Sequence, residues 1–179
     1  IHHGFAHCVF SGNAVGVHDV EAALFGSTLG MKKDGTPETG GHAYHMRAIN
    51  EVKKAGSIKA LVDQGKVKDG IMYALTKTNT PYVLAGSIRD DGPLRDTITD
   101  VVAAQKAYVR ALEGAGVCLM LASALHSIAV GNLLPARVRT VCVDMTESVP
   151  VKLSNRGTMQ AIGLVTDVGF FLERLAAEF

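Results

Sequence analysis

The feature that most constrains the fold is a recurring order along the chain: a short apolar run, a glycine-rich or polar turn, and then a helical stretch. This order is typical of βα units, in which helices connect parallel strands. The apolar runs are continuous rather than alternating, which is typical of strands covered on both faces. The predicted strands are 6–10, 82–85, 117–121, 140–143 and 161–165. We therefore predict an α/β fold built on a parallel sheet.

Apolar positions at helical spacing predict helices between these strands. Ser57 is a candidate N-cap, and Gly26, Gly56 and Gly65 lie where helix C-caps are expected. The predicted helices are 18–25, 44–55, 58–64, 69–78, 97–112 and 169–179. Residues 32–41 are predicted to form a surface loop, and no linker interrupts the chain. We therefore expect a single domain covering residues 1–179.

Composition and charge exclude several classes of protein. The 179 residues are 47% hydrophobic and 20% charged, which excludes intrinsic disorder. The net charge is +1, so the basic footprint of a nucleic-acid-binding protein is missing at the level of the whole chain. No apolar run approaches the roughly 20 residues that span a bilayer, and no charged leader opens the chain. We expect a cytoplasmic protein with neither nucleic acid nor membrane as a partner.

Three cysteines, Cys8, Cys118 and Cys142, lie within apolar runs. They are odd in number and widely spaced, which does not fit a disulfide framework. We expect buried, neutral thiols.

Small and polar residues follow every predicted strand at its carboxyl end. Ligands bind at this edge of a parallel sheet, because loops converge there and helix N-termini present free N–H groups. Asp144, at one such end, could accept hydrogen bonds from ribose hydroxyls. The strand ends are 11–14, 86–93, 122–126, 144–145 and 166–169. Each alone fits a plain turn or an N-cap; together they favour a nucleotide cofactor, although neither G-x-G-x-x-G nor G-x-x-x-x-G-K-[ST] is present.

The histidines allow more than one interpretation. His42 and His45 are three residues apart and could share the first turn of a helix as metal ligands or as an acid/base pair. Because no carboxylate or cysteine completes a metal set nearby in the sequence, we predict no metal and favour a substrate contact or a structural pair. His126, directly after a strand, is the better candidate for a ligand contact. His18 beside Asp19 indicates an oriented imidazole or simply a helix start.

The segment 86–93 is the densest charged stretch beside a predicted strand. It places Arg89 next to Asp90 and Asp91, with a glycine on either side. A solvated loop is the ordinary explanation. The arrangement nevertheless favours the positioning of a charged substrate such as an amino acid.

Several segments together carry a family resemblance. They are SGNA at 11–14 with VHDVE at 17–21, GGH at 40–42, AGSIRDDGPL at 85–94, LHSIAVGN at 125–132 and VTDVG at 165–169. The chain resembles the conserved domain named for the lysine-oxoglutarate reductase/saccharopine dehydrogenase (LOR/SDH) bifunctional enzyme. It is also similar to archaeal-type ornithine cyclodeaminases and to the C-terminal part of cyanobacterial arginine dihydrolase/ornithine cyclodeaminases.

The resemblance implies a three-layer Rossmann-like parallel sheet, as in the NAD-binding fold of deoxyhypusine synthase, and a bound NAD. It also implies that the chain is the C-terminal part of a longer protein, since the relatives continue upstream with a strand of the same sheet. In such an enzyme NAD takes a hydride from the α-carbon of ornithine and the δ-amine attacks the resulting imine. Ammonia then leaves, and the stored hydride reduces the cyclic imine to proline.

The resemblance and the strand ends together predict the site residues. The cofactor-binding residues are Asn13, Ala14, Ser87, Ile88, Arg89, Ser123, Leu125, His126, Asp144, Asp167 and Val168. The catalytic candidates are His42, Asp90 and Asp91, and no residue is assigned to a metal.

Two other functions stay open at this point. One is a noncatalytic NAD-sensing or interaction domain attached to enzymes of lysine or arginine catabolism. The other is a metal-dependent hydrolase using His42 and His45. We expect a homo-oligomer with an ornithine-like substrate, although apolar helix positions such as Met46 and Ile49 fit a subunit interface and a core equally well.

Overall fold

A computed structural model of the chain describes residues 1–90 and 92–179, and at residue 42 it describes the backbone alone. The strands are β1 Val9–Gly12, β2 Ser27–Thr28, β3 Met31–Lys32, β4 Tyr82–Ala85, β5 Thr97–Ile98, β6 Val117–Leu121, β7 Arg139–Asp144 and β8 Ala161–Val165. The helices are α1 Asn13–Phe25, α2 His42–Ala55, α3 Ile58–Asp63, α4 Ile71–Lys77, α5 Val101–Ala111, α6 Leu125–Gly131, α7 Ser148–Asn155 and α8 Val168–Ala176. None of the described helices is both long and apolar enough to cross a membrane.

The chain forms two compact units, Ile1–Ala104 (unit 1) and Gln105–Phe179 (unit 2). Unit 1 contains a parallel sheet in the order β1-β4-β5 and a small antiparallel pair, β2 and β3. Unit 2 contains a second parallel sheet in the order β6-β7-β8. The predicted α/β fold with parallel pairing is thus confirmed. The assignment of all 179 residues to one NAD-binding domain stays a prediction.

The core of unit 1 lies between α1, α2 and the sheet. Val17 of α1, Ile49 of α2 and Leu84 of β4 are fully or almost fully buried in one apolar cluster. At Gly16 an added Cβ would lie 3.1 Å from Leu84 Cδ1, so the absence of a side chain lets α1 pack closely on β4. Ile49 therefore belongs to the core, whereas Met46 on the same helix is exposed.

The core of unit 2 surrounds its central strand, β7. Cys142 and Val143 are buried there, and Leu153 of α7 is buried as well. Gly163 of β8 faces Pro150 of α7, where an added Cβ would come 2.5 Å from the proline Cβ. Close packing at this glycine therefore sets the distance between α7 and the sheet.

The cysteines behave in part as predicted. All three are free thiols, and burial is the main cause that raises the pKa of each above its usual value. The pKa of Cys118 rises to about 11. Cys142 is buried, as predicted, whereas Cys8 and Cys118 are only half-buried.

Strand boundaries were predicted correctly for three strands and were wrong for two. The predictions for 82–85, 117–121 and 161–165 are confirmed at both ends. The prediction of 6–10 was wrong at both ends: β1 begins at Val9, and it extends to Gly12 because Ser11 and Gly12 pair with Leu84 and Ala85 of β4. The prediction of 140–143 was one residue short at each end of β7.

Helix starts were predicted less well. Helix α1 begins at Asn13 rather than at 18, directly after Gly12, whose backbone is still extended. The helix predicted to start at 97 begins at Val101, because Thr97–Ile98 pairs with β4 as a short strand. Ser57 is confirmed as the N-cap of α3, where its side chain accepts a hydrogen bond from the Ala60 N–H. The β2–β3 pair and helices α6 and α7 had no counterpart among the predictions.

Asp19 connects α1 to α4 and does not start a helix. Its two carboxylate oxygens accept hydrogen bonds from the backbone N–H groups of Ile71 (2.8 Å) and Met72 (2.7 Å). A carboxylate at this place satisfies free N–H groups and interacts favourably with the helix dipole. Asp19 of α1 therefore caps the N-terminus of α4.

Candidate functional site

The carboxyl edge of the sheet in unit 1 presents a helix N-terminus whose N-cap is a glycine. Gly12 ends β1 opposite Ala85 of β4, and α1 follows at once. Gly12 has no side chain that could cap the helix, and the neighbouring Ala14 and Val15 are exposed. The first N–H groups of an α-helix have no partner within the helix and favour anionic groups. The predicted residue Ala14 thus lies beside a place suited to a phosphate or a carboxylate.

Asn13, by contrast, has a structural task. Its side chain is buried, and Oδ1 accepts hydrogen bonds from the Leu94 backbone N–H (2.8 Å) and from Thr97 Oγ1 (3.0 Å). These contacts tie the start of α1 to the segment that leads into β5. Asn13 therefore holds two segments of the carboxyl edge together.

The loop after β4 is held by its own polar groups. The Ser87 N–H donates to Asp90 Oδ2 (2.7 Å), and the Arg89 N–H donates to Ser87 Oγ (3.1 Å). Ser87, Ile88 and Arg89 are exposed, and Asp90 is half-buried. Asp90 thus fixes the conformation of a loop in which the Ser87, Ile88 and Arg89 side chains are exposed.

Two of the predicted catalytic residues cannot be placed. Asp91 lies outside the described residues, and so does the side chain of His42, although the His42 backbone begins α2.

The sheet of unit 2 brings a second predicted group to one edge. Because β6, β7 and β8 are parallel neighbours, the residues that follow them lie at the same edge. Asp144 ends β7, and its Oδ1 accepts a hydrogen bond from the Thr146 N–H (2.8 Å). The predicted residues at this edge are Ser123, Leu125 and His126 after β6, Asp144 of β7, and Asp167 and Val168 after β8.

Asp167 is used by the fold. It is the N-cap of α8, and its Oδ1 accepts a hydrogen bond from the Phe170 N–H (2.8 Å). Its first role is therefore a helix cap, which was the ordinary alternative for an acidic residue at a strand end.

The edge of unit 2 also exposes large apolar side chains. Leu125 is 80% exposed and Met145, next to Asp144, is 73% exposed. Exposed apolar groups beside a polar strand end are typical of ligand sites, where they contact flat or apolar parts of the ligand. Met145 was not among the predicted site residues, although its place directly after a strand could have indicated it. The nearby Ala122 has a positive φ of 47°, a conformation that concentrates at functional sites.

A further group of polar side chains, His18, Glu21 and His45, lies between α1 and α2; we call it the His–Glu cluster. One ligand atom from each residue lies within 4.8 Å of the other two. Glu21 is fully buried, and its Oε2 lies 3.4 Å from His18 Nδ1. The rings of His18 and His45 are 5.1 Å apart between centroids. Sequence reasoning missed Glu21; the signal for it was the spacing of three residues from His18 on one helix.

Backbone contacts hold the two helices at this cluster. An added Cβ on Gly41, which precedes α2, would collide with Gly30 Cα in the turn between β2 and β3. The neighbouring Leu29 N–H donates to Glu21 Oε2 (3.2 Å), and Ser27 Oγ donates to Glu21 Oε1 (3.2 Å). The β2–β3 turn therefore positions both the buried carboxylate and the start of α2.

Comparison with known proteins gives close matches over nearly the whole chain. A family described as arginine dihydrolase ArgZ-like, C-terminal, Rossmann fold, matches residues 1–175. The ornithine cyclodeaminase of Methanocaldococcus jannaschii is 54% identical over 176 residues, which cover 98% of this chain and 42% of that protein. This chain therefore spans less than half the length of such relatives.

Solved structures show the same likeness. A LOR/SDH protein from Methanococcus maripaludis S2 superposes with a TM-score of 0.92 at 49% identity, over 98% of this chain and 52% of that one. AgrE, solved as a ternary complex with ornithine and NAD+, superposes with a TM-score of 0.91 at 47% identity, over 98% of this chain and 26% of AgrE.

Asn13→Ala should destabilise the protein, because it leaves the buried Leu94 N–H and the Thr97 hydroxyl without their acceptor. We expect a loss of about 1–3 kcal/mol in the free energy of unfolding, measured by urea denaturation. The matched control is Asn50→Ala, at an exposed position of α2, which should change stability by less than about 0.5 kcal/mol. Equal effects of the two substitutions would contradict a structural role for Asn13.

Proposed function

This chain belongs to the ArgZ-like C-terminal Rossmann-fold family, and on that premise we propose that it is the NAD-binding part of an enzyme that converts ornithine to proline and ammonia. The observation that carries the proposal is the likeness, over 98% of the chain, to AgrE solved with ornithine and NAD+. Relatives named ornithine cyclodeaminase, at 53–54% identity, support the same activity.

The carboxyl edge of unit 2 fits the adenosine half of NAD. Asp144 follows Ser123 by about 20 residues, the spacing at which an acidic residue binds ribose hydroxyls in dinucleotide-binding folds. Leu125, which precedes Asp144 in sequence, and Met145, which follows it, both have exposed apolar side chains. We propose that these side chains contact the adenine ring. Dinucleotide-binding folds usually have glycines in the turn after the strand that precedes this acidic residue. This chain has Ser123 between two alanines there, so small side chains take the place of the glycines.

The carboxyl edge of unit 1 fits the charged groups of the ligands. The N-terminus of α1, whose N-cap is a glycine, would bind an anionic group of a ligand beside Gly12 and Ala14. The exposed Arg89 would bind the carboxylate of the amino acid or a further phosphate. The cofactor roles of Asn13, Ala14, Ser87, Ile88 and Arg89 in unit 1 stay predictions.

The chemistry that NAD supplies when bound is reversible hydride transfer with the α-carbon of the substrate, so that oxidation, ring closure with loss of ammonia, and reduction need no outside oxidant. The protein must accept a proton from the α-amine. Asp90 is a candidate because the Ser87 N–H holds its half-buried carboxylate in one orientation, as a positioned base requires. His42 and Asp91 stay predicted catalytic residues.

The proposed partners are an ornithine-like amino acid and a second copy of the chain, in the cytoplasm. Apolar side chains on β8 and α8 are more than half exposed, namely Ile162, Val165 and Phe170. Exposed apolar patches mark association sites in proteins. Light scattering on the purified whole protein should therefore give a multiple of the mass of one whole polypeptide, and a monomer would contradict this assignment.

The activity is tested on the whole protein that contains this chain. Ornithine carrying deuterium at the α-carbon should yield proline that keeps the deuterium, with one ammonia per proline and no net formation of NADH. Mass spectrometry of proline and an ammonia assay measure this outcome. Absence of both products rejects ornithine as the substrate; tight NAD binding without turnover of any diamino acid would instead favour a noncatalytic NAD-sensing domain.

Asp144→Ala should weaken NAD binding by about 10-fold or more, because hydrogen bonds between a carboxylate and hydroxyls are lost. Stability should change little, since Asp144 is only half-buried and its side chain accepts a hydrogen bond from the Thr146 N–H in an exposed turn. Isothermal titration with NAD measures the affinity. The matched control is Glu147→Ala. Glu147 is an exposed acidic residue close to Asp144 in sequence, and its side chain makes no capping hydrogen bond. An unchanged affinity in Asp144→Ala would remove the ribose role.

A further inference from the structure

We propose that the His–Glu cluster of His18, Glu21 and His45 binds a divalent transition-metal ion of the zinc class. His18 and Glu21 lie about one turn apart on α1, and His45 lies near the start of α2. Two imidazole nitrogens and one carboxylate oxygen are a ligand set that zinc accepts. The proposal rests on unit 1 alone and does not depend on the function proposed above.

The spacing of the ligand atoms supports this assignment. Ligands that bind tetrahedral zinc at about 2.0–2.1 Å lie about 3.4 Å from one another. His18 Nδ1 and Glu21 Oε2 already have this spacing, at 3.4 Å. All three ligand atoms lie within 4.8 Å, so a small rotation of the half-buried His45 side chain would complete the set.

Charge supports it as well. Glu21 is 0% exposed, and no lysine or arginine in the described part of the chain forms an ion pair with it. A buried carboxylate is costly unless a cation compensates it. A metal ion uses both rings in their neutral form and compensates the carboxylate.

The groups around Glu21 are those expected of a metal-binding carboxylate. Ser27 Oγ donates to Oε1 and the Leu29 N–H donates to Oε2, each over 3.2 Å. Carboxylates that bind metals are commonly held in place by such outer hydrogen bonds. The orientation of Glu21 is therefore set before an ion arrives.

Three protein ligands leave one coordination position for water or another small ligand. The His18 side chain is 22% exposed, which gives this side of the cluster access to solvent. We therefore expect an ion that a chelator removes without unfolding the protein.

The test uses the whole protein, stripped with a chelator and titrated with Co²⁺ and then Zn²⁺. We expect one equivalent of Co²⁺ per chain, with the visible absorption of a tetrahedral site that Zn²⁺ abolishes. H18Q, E21Q and H45Q should each weaken binding by more than about 100-fold, and S27A, which removes an outer partner, by about 10- to 100-fold. The control H3Q changes an exposed histidine outside the cluster and should keep the full equivalent.

Circular dichroism checks that each variant is folded. H45Q is the deciding variant if the buried E21Q does not fold, because His45 is only half-buried. Absence of stoichiometric binding, or binding that H45Q leaves unchanged, overturns the proposal. Binding that H3Q abolishes and H45Q retains is adventitious binding near the N-terminus and overturns it too. Failure to produce proline from ornithine would not bear on this result.

Discussion

The candidate sites depend on the parallel pairing of strands within each unit. Backbone hydrogen bonds place Gly12 beside Ala85 in one sheet, and Leu121 beside Val143 in the other. Because parallel strands run in one direction, the loops that leave them start from the same edge. Residues that are far apart in sequence, such as Leu125 and Asp144, therefore lie at one edge without any direct contact being needed between them.

Helix α1 combines several structural tasks with a place at the candidate site. Its first residue, Asn13, binds the segment before β5, Asp19 caps α4, and Glu21 lies buried against His18. The apolar face of the same helix, with Val17 and Val20, contributes to the core. The start of α1, with its glycine N-cap, is the part of the helix that we propose for a ligand. Substitutions along this helix will therefore affect stability and binding together, and the two effects must be measured separately.

Much of this architecture could be predicted from local pattern. Continuous apolar runs identified β4, β6 and β8 with correct ends, and the Ser57 cap followed from side-chain chemistry. The two-residue strand β5 was read as part of a helix, because a pairing of two residues leaves no periodic signal in the sequence. The His–Glu cluster was missed for a related reason. The carboxylate nearest to His45 comes from α1, so the residues next to His45 in sequence do not indicate it.

The sequence by itself determined the parallel α/β class, the neutral cysteines, the strand ends that carry polar residues, and the family to which the chain belongs. These follow from local residue order, which sets hydrophobic burial and turn chemistry. Only the tertiary structure decided which polar groups are consumed by the fold, as Asn13 and Asp167 are, and which stay exposed, as Arg89 and Leu125 do. It alone placed Glu21 beside two histidines. The reason is physical: a hydrogen-bond partner or a metal ligand is chosen by distance in space, which chain order does not specify.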